Sequence, residues 1–67
     1  MDKWIGDAVG KMHINGISQN QVAVKLGVSY DYVNKILNGR ECPVNAESRI
    51  MTAIDEIIEN RKNSVAD

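Results

Sequence analysis

The sequence has few of the devices that hold very small proteins together from outside their cores. It contains one cysteine, Cys42, so no disulfide can form within the chain. A secreted domain of this size is usually stapled by several bridges, so the single thiol points to a reducing compartment and to a fold that rests on packing alone. No apolar run approaches the roughly 20 residues that cross a bilayer, and the opening MDKWIGDAVGKMH lacks the charged-then-apolar order of a signal peptide. A cytoplasmic protein is expected. His13 and Cys42 stand alone, whereas a tetrahedral metal site takes three or four ligands at characteristic spacing, so neither metal nor cofactor is expected. A nucleophile with its base, a pair of carboxylates in a pocket and a phosphate-cradling glycine loop are also missing, which argues against an enzyme. Strand-like alternation, internal repeats and low-complexity runs are absent as well.

An excess of positive charge is the other notable lack, because a chain that holds nucleic acid is expected to gather Lys and Arg against the phosphates. The net charge is −1 over 67 residues. Its distribution is slightly uneven. Residues 1–17 balance, with Lys3 and Lys11 against Asp2 and Asp7. Residues 18–45 carry a small positive excess from Lys25, Lys35 and Arg40 against Asp31 and Glu41, and residues 46–67 are acidic.

What is present fits a folded, helical chain. A hydrophobic share of 43% with 25% charged residues is ordinary for a globular domain. A chain this short buries only about 60% of its unfolded surface, enough for one core and one domain. Trp4, Ile5, Ala8, Val9 and Met12 follow helical spacing and predict a helix over about 2–14, stopped at Asn15-Gly16. Trp4 is read as a core or core-edge residue of that stripe. Ser18 is an N-cap for a two-turn helix, about 18–26, with Val22, Ala23 and Leu26 on its apolar face and Gly27 at its end. Ser29 caps a third helix, about 29–37, held by Val33, Ile36 and Leu37 and closed by Asn38-Gly39. Pro43, the only proline, marks a connecting loop. Asn45 then caps a long helix over about 46–61, with Ile50, Ile54, Ile57 and Ile58 on one stripe and a frayed tail at 63–67. The expected architecture is all-α, with four helices, or five if a further short one forms, around one aliphatic core.

Two short helices about a glycine turn are common, so the weight lies in several positions agreeing at once. In QNQVAVKLGVSYDYVNKIL, Gln19 opens the first helix and the small Ala23 follows four residues later, where the second helix would cross closely. Gly27 occupies the turn, Val28 plugs the corner, and Val33 and Ile36 anchor the second helix. The opposite side of that helix offers Tyr30, Asp31, Asn34, Lys35 and Asn38, all hydrogen-bonding groups that packing does not need. Tyr32 is read as partly packed.

These residues resemble the helix-turn-helix regulators of the phage repressor and Cro type, whose pattern runs close to G-I-S-Q-x-x-V-A-x-x-L-G-V-S; the chain reads GISQNQVAVKLGVS from Gly16 to Ser29. The later stretch, GVSYDYVNKILNG followed by VNAESRIMTAIDEI, is similar to the headpiece of the lactose-repressor family over about residues 22–60. That headpiece begins with the motif and is followed by a large sugar-binding domain. A helix in front of the motif and nothing behind it favours the phage type, a lambda-repressor-like domain.

The resemblance implies double-stranded DNA as partner, with the helix at 29–37 in the major groove and the N-terminus of the preceding helix at a phosphate. Carried over by position, Gln19 and Asn20 fall at or near the DNA backbone, Ser29, Tyr30, Asp31 and Asn34 face bases, and Lys35, Asn38 and Arg40 flank them. Asn can bridge adenine N6 and N7, and Asp can accept from cytosine N4. Asp31 departs from the lactose-type pattern, which carries an amide after its Tyr. It either contacts a base or simply stabilises the helix N-terminus. Met51 and Ile58 widen the apolar face of the last helix, which suits either a homodimer interface or a small core. A protein-binding module on the same fold, such as an antirepressor, is the alternative that the near-neutral charge favours.

Overall fold

Local chemistry at the helix ends sets the architecture. In the computed structural model, which describes residues 2–65, the chain forms four helices: α1 (Lys3–Ile14), α2 (Gln19–Leu26), α3 (Tyr30–Leu37) and α4 (Ala46–Val65). There is no strand and no fifth helix among the described residues. The all-helical class expected from the sequence is therefore the observed one.

Both short helices begin on a serine. Ser18 Oγ accepts the Gln21 N–H at 3.1 Å while Gln21 Oε1 accepts the Ser18 N–H at 2.8 Å, a reciprocal capping box at the start of α2. Ser29 Oγ accepts the Tyr32 N–H at 3.1 Å and starts α3.

The first three helices end in one repeated pattern. The Gly27 N–H donates to the Val24 carbonyl and the Val28 N–H reaches back to Ala23, which satisfies carbonyls that α2 would leave open. Gly16 and Ile17 close α1 in the same way on His13 and Met12, and Gly39 and Arg40 close α3 on Ile36 and Lys35. The residue after the glycine is apolar in the first two cases. Ile17 is buried and Val28 packs against the core, so each turn folds the chain back inward. After α3 that residue is Arg40, which is exposed.

The core joins all four helices through Ile5, Ala8, Met12, Ile17, Val22, Ala23, Val33, Ile36, Leu37, Ala46, Ile50, Ala53 and Ile54. Trp4, Leu26, Val28, Tyr32, Met51, Ile57 and Ile58 are partly buried against it. The main helix contacts run α1 to α4, α4 to α2, and α2 to α3. Thus α4 is the spine, and α3 is carried mainly by α2.

Three local expectations are corrected. Val9, which helical spacing puts on the apolar stripe of α1, is 44% exposed, because Ile5, Ala8 and Met12 already define the face that meets α4 and Val9 lies beside it. Asn45 does not take the extended backbone of an N-cap. It sits at φ 68°, in the left-handed region that Asn tolerates. Its carbonyl accepts the Arg49 N–H at 2.9 Å and the Ser48 hydroxyl at 3.2 Å. Finally, α4 runs to Val65, past the expected end near 61, since no Gly or Pro interrupts it. Of the tail expected to fray at 63–67, residues 66–67 lie outside the described residues.

Gly27 is the sharpest backbone test. Its φ is 72°, and a Cβ added there would meet nothing within 4 Å, so substitution is penalised by conformation and not by collision. Gly27→Ala should lower unfolding free energy by about 1 kcal/mol, and Gly27→Asn by less. Denaturant titration of the two variants checks this ordering.

Candidate nucleic-acid interface

At about 100° per residue, the buried Val33, Ile36 and Leu37 fix which side of α3 faces inward. Asp31, Lys35 and Asn38 then fall opposite the core, and Asn34 falls on the flank nearest α2. Tyr30 begins the helix and is 52% exposed. Ser29 and Asp31 are exposed in the cap and first turn, and Arg40 is exposed just beyond the C-terminal end. On α2, Gln19 is half-buried and Asn20 exposed at the N-terminal end. The nine residues singled out from the sequence therefore lie on three segments: the start of α2, the outer side of α3, and the turn after it.

Three amides are linked. Asn34 Nδ2 donates to Gln19 Oε1 at 3.0 Å, bridging α3 to α2. Asn38 Nδ2 donates to the Asn34 carbonyl at 2.8 Å and to Asn34 Oδ1 at 3.0 Å. A primary amide has two donor hydrogens and two acceptor lone pairs. Asn34 thus keeps one N–H and one lone pair for an outside partner, in an orientation its neighbours fix. Gln19 Oε1 spends one lone pair on this bridge, which leaves its second lone pair and its Nε2 donors. This corrects the expectation that packing does not need Asn34: it is half-buried and holds the two helices in register. The Asn34–Asn38 part of the chain has the i, i+4 signature that sequence can show. The Gln19–Asn34 link has none, since it is a tertiary contact.

Charge on this face is balanced. Lys35 Nζ lies 3.2 Å from Asp31 Oδ2, an i, i+4 pair, and Arg40 is followed by Glu41. Lys25, which contributes to the positive excess of the middle segment, sits 3.8 Å from Glu56 of α4. Asp55 of α4 pairs with Lys11 of α1. Arg61 donates to the Asn15 and Gly16 carbonyls, capping the end of α1. Exposed pairs of this kind contribute only about 0–1 kcal/mol each. Their larger effect is to place much of the acidity of α4 against α1 and α2, on elements other than α3.

A concavity of about 710 Å³, open to solvent, lies away from the outer side of α3 and is lined by residues including Trp4, Pro43, Met51 and Asp55. A smaller one of about 300 Å³ is lined by Asn20, Val24, Lys25 and Ile57. Among the described residues, no group of three or more His, Cys, Asp or Glu is placed to hold a metal ion, and no helix is long and apolar enough to cross a membrane.

Residues 15–43 match the family model described as helix-turn-helix. The matched segment starts in the turn after α1, contains α2 and α3, and stops at Pro43, so it covers every candidate residue. The chain thus carries a helix-turn-helix, and the match supports a DNA-binding transcription regulator. No curated protein and no solved structure matches the chain.

Two stability measurements test the local construction. Ser29→Ala should cost about 0.5–2 kcal/mol by removing the cap of α3. A double-mutant cycle on Gln19→Ala and Asn34→Ala should return a coupling of about 0.5–1.5 kcal/mol, whereas strict additivity would show that the amide bridge contributes nothing.

Proposed function

We propose that this protein is a sequence-specific DNA-binding transcriptional regulator of the phage repressor and Cro type, which lays α3 in the major groove of double-stranded DNA. The observation that carries the reading is the polar outer side of α3, presented by a capped, glycine-closed turn within the segment that matches the helix-turn-helix model. A helix of this width enters the major groove, where base edges offer a distinct donor and acceptor pattern for each base pair. In this reading Gln19 Nε2 and Asn20 meet the phosphate backbone at the start of α2. Ser29, Tyr30, Asp31 and Asn34 face bases, and Lys35, Asn38 and Arg40 lie around them. The free donor and acceptor of Asn34 suit adenine N7 and N6.

The protein works in the cytoplasm as a homodimer on two half-sites about one helical turn apart, because a single face with balanced charge gains little from phosphate attraction and a second face multiplies the affinity. The same charge balance favours the second reading, a helix-turn-helix that binds a protein partner, and salt separates the two. With few uncompensated cations near α3, binding to a selected DNA site should weaken with salt at a logarithmic slope of roughly −2 per protomer. Absence of DNA binding even at low salt would favour the protein partner. On a selected site, Asn34→Ala should cost about 1–3 kcal/mol at one base pair. A uniform loss over all sequences would assign Asn34 to positioning or to phosphate contact.

A further inference from the structure

The centre of the outer side of α3 is occupied by an ion pair, not by a free cation. Asp31 and Lys35 lie one turn apart, opposite the buried Val33, Ile36 and Leu37, with Lys35 Nζ 3.2 Å from Asp31 Oδ2. The Asp31 side chain is 74% exposed, so its other acceptor sites are available to a partner. The flanking amides of Asn34 and Asn38 are bonded to each other and to Gln19, and the pair stands clear of that network.

We propose that Asp31 and Lys35 read one C·G base pair as a unit, the carboxylate accepting from cytosine N4 and the ammonium donating to guanine O6 and N7. This inference rests on the DNA-reading function proposed above. Cytosine N4 and guanine O6 are hydrogen-bonded to each other across the pair, so a donor and an acceptor stand about 3 Å apart in the major groove. A carboxylate oxygen and an ammonium nitrogen 3.2 Å apart present the complementary order at the same spacing. In an A·T pair the single donor, adenine N6, lies between two acceptors, thymine O4 and adenine N7. A carboxylate on N6 would then face two acceptors with one ammonium to offset them, and the ammonium would find one acceptor at a time on either base. The C·G pair leaves no such conflict. The ion pair is also neutral as a unit, so Asp31 approaches the phosphates with its charge already offset, which an unpaired acid at this place would not do.

The test is selection of bound sequences from a random duplex pool by the wild-type protein, Asp31→Asn, Asp31→Ala and Lys35→Ala. Affinities are then measured on the selected site with each base pair replaced in turn. Circular dichroism is the check that the variants remain folded. The expected result is one position at which the wild type prefers C·G by about tenfold to a hundredfold. Asp31→Asn moves the preference at that position alone to A·T, since an amide can bridge adenine N6 and N7. Asp31→Ala and Lys35→Ala flatten the preference there. If the wild type selects a site but the Asp31 variants keep every preference, or change affinity uniformly, the inference is overturned while DNA reading stands. If the wild type selects no sequence at low salt, the DNA reading itself falls, and the inference with it.

Discussion

The contact on which the rest of the molecule depends is the packing of α3 onto α2 around Ala23 and Val33. Both are almost fully buried, and α2 is the main element joining α3 to the spine formed by α4. A helix of two turns has no stability of its own in water, because nucleation costs more than so few backbone bonds return. α3 exists because Val33, Ile36 and Leu37 enter a core that α1, α2 and α4 have already surrounded. The glycine turn at Gly27 and the cap at Ser29 set its entry, and the amide bridge from Gln19 to Asn34 fixes its rotation from outside the core. Burying one face so completely leaves the opposite face polar and free of packing duties apart from Asn34.

That polar face is unusual in its electrostatics. Two acids and two bases, Asp31, Lys35, Arg40 and Glu41, balance on α3 and the turn after it, and Lys25 of α2 is paired with Glu56 of α4. A surface arranged in this way attracts a polyanion weakly at long range and interacts chiefly through directional hydrogen bonds at short range. Such balance costs affinity and favours discrimination, since a donor or acceptor left unmatched against a base edge is penalised more than a matched one is rewarded. The proposed homodimer would complement such a face, because a second copy raises affinity without adding charge to it.

Much of the fold was legible in the sequence because its determinants are local. Ser18 and Ser29 cap within three residues, Gly16, Gly27 and Gly39 take left-handed backbone immediately after a helix, and the stripe at Ile50 and Ile54 repeats every turn. Where the reading failed, the cause was context. Val9 and Ile5 have similar hydrophobicity, and only the position of α4 decides which is buried. Asn45 has the chemistry of a cap, yet in the turn after Pro43 it sits at positive φ. For the candidate site, residue types and their helical side were legible from the period. The partners were only partly so: the Asp31–Lys35 spacing is visible in the chain, while the bridge from Gln19 to Asn34 requires α2 and α3 to be docked. Reading hydrogen-bonding residues as free because they are polar overlooked that one of them also helps hold the helices.

The most direct test of the central claim, that the α2–α3 unit presents α3 as the recognition surface, is a titration of the labelled protein with a selected duplex, followed by backbone amide chemical shifts. The account predicts that the largest changes fall at Gln19 and Asn20, from Ser29 to Lys35, and at Asn38 and Arg40, with α1 and the acidic side of α4 little affected. Changes centred on α4, or on the exposed apolar residues Val9, Ile14 and Val24 with α3 undisturbed, would contradict it.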